Sequence, residues 1–317
     1  MKKSKVGKFY FISIFCWLLG VCAALQFGAV PNASTEIMTV LRMPRVVLAS
    51  VVGMGLAVSG ASLQSLFTNP LCEPYTLGIS SGAALGAVLG ISFGLEWNFL
   101  GLAGSAFAGA AVFSIFLFGL ATHRRTNNAS LLLSGVMLGF LGTSIVALWI
   151  SLTDSNGMQA AIGWLFGDLS RARMRASIFI AAWVLILVGL IWSQWRELDA
   201  LLLGEEGASA IGVDLPRTRR RIVLITSVLV GICVSSAGMI GFVGLVVPHF
   251  IRRFNGSMHF HLIPLAAIWG SLALVLADLG ARYLARPYEL PVGVVTALLG
   301  APLFLAVVAR GGGHVAK

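Results

Sequence analysis

Apolar residues gather along this chain into blocks of about 20, each about the length a helix needs to cross a ~30 Å hydrocarbon core. Short polar or basic clusters separate the blocks. They predict spans at residues 9–29, 46–67, 77–93, 98–122, 130–152, 176–195, 222–239, 241–251, 262–285 and 291–309. In lipid every backbone N–H and C=O must be satisfied within the protein, so only helices and closed barrels span. Blocks this long and without period-two alternation are helices. The 241–251 block is too short to cross alone and reads as half of a broken crossing. The expectation is an all-α polytopic membrane protein with about ten transmembrane helices, arranged as one transmembrane domain over residues 1–317.

Small residues recur at helical spacing within the blocks: Gly53, Ala57 and Ala61, then Gly78, Gly82 and Gly86. Such faces let helices approach closely in a bilayer, and packing is the reading preferred over substrate contact. Breaks occur in both halves, at Asn69-Pro70…Pro74 and at Gly241…Gly244…Pro248. Paired breaks suggest an internal structural repeat with interrupted helices near a pathway. The first block follows a basic start, as a signal peptide would, but it exceeds the usual apolar core of about 7–15 residues and is read as a retained span.

Composition and charge then set the orientation. Hydrophobic residues make up 58% of the chain and charged residues 11%, against about 25% charged in a soluble domain. The net charge of +10 does not imply nucleic acid, because the basic residues cluster between apolar blocks. With the N-terminus inside, fifteen of the 22 lysines and arginines fall inside: Lys2, Lys3, Lys5, Lys8, Arg124, Arg125, Arg196, Arg217, Arg219, Arg220, Arg221, Arg252, Arg253, Arg310 and Lys317. Seven fall outside: Arg42, Arg45, Arg171, Arg173, Arg175, Arg282 and Arg286. The bias predicts cytoplasmic termini.

Little in the chain could carry covalent chemistry. There is no lysine between Phe9 and Ala316, which excludes a P-loop. Cys16, Cys22, Cys72 and Cys233 show no metal-ligand spacing and read as small apolar fillers. No catalytic or metal-binding residue is assigned. Asp278 is the one acid well inside a block, and Arg282 stands four residues later on the same face, so a structural ion pair is expected. Glu73 is expected to cap the helix after the first break.

Two features remain open on physical grounds. Residues 196–221 are too amphipathic to span, with Leu201, Leu202, Leu203, Ala208 and Ile211 on one face and turns at Gly204 and Gly212. They predict two short cytoplasmic helices, serving either a protein partner or the lipid headgroups. The outer arginines Arg42, Arg45, Arg282 and Arg286 either dock an acidic partner or anchor headgroups.

The chain resembles FecCD/BtuC-type permeases, the membrane subunits of type II ABC importers. The resemblance rests on Arg42-Met43-Pro44-Arg45, Gly60 through Gln64, Asn69-Pro70-Leu71…Glu73-Pro74, Leu77 through Ala83, Leu201 through Gly212, Gly241 through His249, Ala277-Asp278…Arg282, Glu289 through Gly293, and Gly300-Ala301-Pro302. It implies a transport subunit of the bacterial inner membrane rather than an enzyme, importing a ferric siderophore, haem or a related chelate, or cobalamin. It implies a second permease subunit, two cytoplasmic ATPases that hold ATP and Mg, an extracytoplasmic solute-binding protein, and no cofactor on this chain. It assigns ATPase coupling to Leu201, Leu203, Gly204, Glu205, Ala208, Ile211 and Gly212, between the sixth and seventh crossings. It further assigns binding-protein docking to Arg42, Arg45 and Arg282, and a cytoplasmic gate in residues 126–130 to Asn128 and Ala129. The fifth and tenth spans would line the pathway. Cys72 stands where the family usually has alanine, and Arg171, Arg173 and Arg175 make the outer loop unusually basic.

Overall fold

The structure, a computed structural model, describes residues 2–28, 34–95, 99–122, 128–285 and 288–311. Arg124, Arg125, Arg286, Lys317 and the 126–127 part of the expected gate loop lie outside them. The described residues form helices joined by short turns, with no strand among them. The helices are α1 (Lys2–Gln26), α2 (Thr35–Ile37), α3 (Met43–Leu66), α4 (Ile79–Ser92), α5 (Phe99–Thr122), α6 (Asn128–Leu152) and α7 (Ser155–Leu165). The second half contributes α8 (Met174–Ser193), α9 (Trp195–Leu201), α10 (Gly204–Ala210), α11 (Leu215–Ala237), α12 (Val243–Asn255), α13 (His259–Tyr283) and α14 (Val292–Gly311). Seven segments among the described residues are long and apolar enough to cross a membrane.

Each predicted span has a helix at its centre, and the differences lie at the ends. The second span begins earlier than expected, because α2, a π-helical turn over Met38–Arg42 and α3 run on continuously over Thr35–Leu66. Arg42 and Arg45 therefore sit inside a helix rather than at the end of a loop. Pro44 has no N–H and its ring crowds the carbonyl four residues back, and the π-helical turn just before it widens the backbone there. The polar run before the seventh span is also helical: Asp214 caps α11 by accepting from the Arg217 N–H at 3.1 Å, with Pro216 in the first turn. Helix α7 was not anticipated. Asp154 starts it by accepting from the Gly157 N–H at 3.2 Å.

Helix α3 is the axis of the fold, buried along most of its length and packed by α8, α11, α12 and α13. Helices α4 and α5 form a second tight pair that carries α6, and α1 lies on the outside of α13. The expected small-residue faces are the contacts. A Cβ on Gly53 would overlap the Gly270 carbonyl of α13, and one on Gly60 would overlap the Gly244 carbonyl of α12. Gly82 and Gly86 likewise meet Gly109 and Ser105 of α5. Two backbones cannot come this close if either carries a side chain, which is why bilayer bundles spend glycine there.

Candidate functional site: charged networks at the two ends of the bundle

One end of the bundle holds a buried ion-pair network. Asp278 of α13 is fully buried; its Oδ1 accepts from Arg45 Nε at 2.7 Å and its Oδ2 lies 3.0 Å from Arg282 Nε. Arg45 Nη1 donates to Glu289 at 2.7 Å, in the turn before α14. Arg42 Nη1 donates to the Leu25 and Gln26 carbonyls at 2.7 and 2.8 Å, satisfying acceptors of the last turn of α1. Arg282 reaches the Ala24 carbonyl at 3.3 Å. The expected Asp278–Arg282 pair exists, and α3 joins it. Arg42, Arg45 and Arg282 are 5%, 8% and 4% exposed in this chain, so they tie α1, α3 and α13 together from beneath the surface.

Beside this network opens a cavity of about 1220 Å³, lined by Arg45, Glu289, Trp149, Asp154, Asp168 and Arg171 among others. Helix α7 contributes one wall. Arg171 lies 3.9 Å from Asp168 on its rim.

The opposite end carries a second set of polar contacts, centred on the segment after α8. Gly204 and Gly212 both have left-handed backbone, φ +81° and +89°, so the two turns fall where expected. Leu201 and Ala208 face inward and are buried, while Leu203 and Ile211 are 64% and 62% exposed. Glu205 pairs with Arg219 of α11 at 3.3 Å, tying α10 to the bundle. Asp199 of α9 accepts from the backbone N–H and the ring Nδ1 of His259, both at 2.7 Å. The other ring nitrogen of His259 lies 2.6 Å from Ser65 Oγ on α3. A buried Asp–His–Ser chain thus links the short helices to the central helix. No spacing in the sequence could have flagged it, because its members are separated by up to 194 positions.

Next to it, Arg252 of α12 donates to the Gln64 side chain, whose amide in turn donates to the Gly244 carbonyl at 3.2 Å. Asn128 is buried at the start of α6 and donates to the Leu66 carbonyl at 2.8 Å, holding the α6 entry against the end of α3, whereas Ala129 beside it is exposed. The two chain breaks also meet. Glu73 does not cap its own following turn; its carboxylate instead accepts from the Phe242 N–H at 3.3 Å, at the start of α12. Phe242 holds a left-handed conformation, φ +68°, rare for a bulky residue, and Pro74 packs on Gly244. Burial pushes the Glu73 carboxyl above its ordinary range, partly offset by that N–H.

The sequence matches the FecCD transport family over residues 9–310. Similar proteins include the cobalamin import system permease BtuC of Halobacterium salinarum, 41% identical over 90% of this chain and 77% of that one. The vitamin B12 permease BtuC of Vibrio cholerae is 37% identical over 96% and 92% of the two chains. The hemin transport permease HmuU of Yersinia pestis is 39% identical over 90% and 89%. Among solved structures, a metal-chelate type ABC transporter in an inward-facing conformation superposes with a TM-score of 0.88 at 30% identity, covering 96% of this chain and 99% of that one. The chain belongs to the FecCD transport family and is a multi-pass permease subunit of an ABC importer.

Proposed function

We propose that this permease carries a metal chelate, a ferric siderophore, haem or a similar complex, into the cytoplasm by alternating access driven by separate ATPase subunits. The family match over residues 9–310 carries the reading, and the likeness to a metal-chelate transporter and a hemin permease supports the cargo class. Cobalamin is the second reading, favoured by the 41% identical relative.

In the bacterial inner membrane the chain makes ten crossings, the seven long segments plus α4, α12 and α14, with both termini in the cytoplasm. Two such subunits, identical or paralogous, face each other across a pathway lined by α6 and α14. Those helices leave Leu133, Phe140, Leu141, Leu298, Leu299 and Leu305 at least half exposed. The α9–α10 segment sits in a cleft of a cytoplasmic ATPase, with Leu203 and Ile211 as the inserted apolar side chains and Gly204, Glu205 and Gly212 shaping the turn. Asn128 and Ala129 narrow the cytoplasmic gate. ATP and Mg belong to the ATPase; this chain holds no cofactor. At the outer face a solute-binding protein docks over Arg42, Arg45 and Arg282. Since these are buried, an incoming carboxylate reaches Arg45 by displacing Glu289, whose side chain is 42% exposed.

The test is uptake into proteoliposomes holding the permease and its ATPase, with the binding protein added outside. Radiolabelled haem, ferric siderophore and cobalamin are offered in turn. Accumulation of haem or siderophore only with ATP supports the first reading, and cobalamin alone moves the assignment to the second. Accumulation without the ATPase would refute both.

A further inference from the structure

The three basic residues of the outer loop separate in the structure. Arg171 sits on the rim of the cavity beside Asp168. Arg173 and Arg175 instead line an apolar groove of about 790 Å³ between α5, α8 and α11. Both are exposed, and neither forms an ion pair among the described residues. The groove's walls are Phe107, Phe179, Trp183 and Ile232, and Phe179 and Trp183 are 66% and 46% exposed. Its floor serines, Ser235 and Ser236, spend their hydroxyls on carbonyls one turn back in α11, so the floor is effectively apolar.

Length and charge together identify the occupant. From Arg173 to Trp183 is ten residues of helix, about 15 Å at 1.5 Å per residue, which is half of a ~30 Å core and therefore one leaflet. All three helices supply residues from the end of the bundle that carries the Arg45 network, because the groove shares Ala103, Ser235 and Ser236 with the cavity there. A ligand with a negative head at the surface and an apolar tail one leaflet long satisfies both ends. A soluble acidic protein would meet the arginines but leave the groove open.

We propose that this groove binds an anionic phospholipid, with an acyl chain between Phe107 and Trp183 and the phosphate on Arg173 and Arg175. The site gives two outer arginines, which oppose the usual charge bias, a counter-ion within the bilayer. That the lipid belongs to the outer leaflet rests on the orientation proposed above; the binding itself does not. The lipid lies against Ser235 and Ser236, the wall between groove and cavity, so its occupancy stiffens the cavity's outer side.

Native mass spectrometry of the detergent-solubilised full chain tests this, with dioleoyl phosphatidylglycerol or dioleoyl phosphatidylcholine added at equal concentration. The expected result is preferential retention of phosphatidylglycerol. Each arginine near a headgroup contributes roughly fivefold, so R173Q/R175Q should lower retention about twenty-five-fold and erase the preference, while R173K/R175K keeps most of it. Gly104 lines the groove with open space around its Cβ position, so G104W fills the groove without touching the arginines and should expel the lipid. G104W also keeps the test decisive should the arginine variants fail to fold. Equal retention of the two lipids, or unchanged phosphatidylglycerol in G104W, would overturn the proposal. So would a dimer lost in G104W with lipid retention intact, which would assign the groove to a subunit contact. None of these readouts involves transport, so they stand or fall separately from the uptake assay.

Discussion

Asp278 and Glu289 bind the same guanidinium at the same 2.7 Å, yet their loss should cost very different amounts. Asp278 has 1% side-chain exposure and also faces Arg282, so Asp278→Asn leaves buried Arg282 without its carboxylate and buried Arg45 with only the half-exposed Glu289. Breaking a buried pair from one side costs about 3–5 kcal/mol, chiefly through the stranded charge. Glu289 is 42% exposed, and water screens its pair with Arg45, so Glu289→Gln should cost about 0.2–1 kcal/mol. In a chain of this size those figures correspond to a fall in thermal midpoint of about 10 °C for D278N and of a few degrees at most for E289Q. The assay is thermal unfolding of the purified permease in detergent, followed by tryptophan fluorescence. Raising the salt from about 0.1 to 1 M should shrink the E289Q effect and leave that of D278N, because only the exposed pair sits within reach of mobile ions. Adding Arg282→Gln to D278N should recover part of the loss, since Asp278 is the only carboxylate paired with Arg282 among the described residues, whereas Arg45 keeps Glu289. Equal midpoint shifts for the two single variants would refute the argument that burial, not distance, sets the strength of this network.

Other expectations follow from named contacts. Gly60→Leu must push α3 away from the Gly244 carbonyl and should cost at least about 1–3 kcal/mol, read as loss of the monodisperse peak in size-exclusion chromatography; wild-type behaviour would mean the two helices separate freely. Leu203→Glu with Ile211→Glu removes two exposed apolar side chains worth about 1.5–3 kcal/mol each, and should weaken co-purification of the ATPase at least tenfold without lowering the permease's own midpoint. Glu289→Gln frees Arg45 for an incoming carboxylate and should tighten solute-binding-protein docking, measured by surface plasmon resonance; weaker docking would show that Glu289 itself is the contact. Ser65→Ala leaves a ring nitrogen of buried His259 unpaired, at about 1–3 kcal/mol, and should speed hydrogen exchange in residues 195–201; unchanged exchange would detach the short helices from α3.

Much of the fold was legible because the bilayer imposes a length and a polarity that any spanning sequence must display. The ten apolar blocks each hold a helix, and the glycine faces at Gly53 and Gly82 pack as their spacing implied. Boundaries failed where polar residues belong to a helix for local reasons: Arg217 through Arg221 lie in α11 because Asp214 and Pro216 start it, and the π-helical turn lets α2 run through Pro44. Helix α7 was missed because Ser155–Leu165, at eleven residues, is too short and too polar to register as a span.

The sequence by itself determined the bilayer as solvent, the apolar helical segments and the family, since each follows from residue type and spacing along one dimension. It also placed Asp278 beside Arg282, a pair set by helical period alone. Only the tertiary structure decided what the outer arginines touch, that the breaks at Glu73 and Phe242 meet, and that Asp199, His259 and Ser65 form one chain. It also decided that Arg173 and Arg175 open onto a groove while Arg171 does not. These are pairings between residues far apart in the chain. They depend on which helix faces lie together, and that is settled by close backbone approach at a few glycines rather than by any pattern within a single segment.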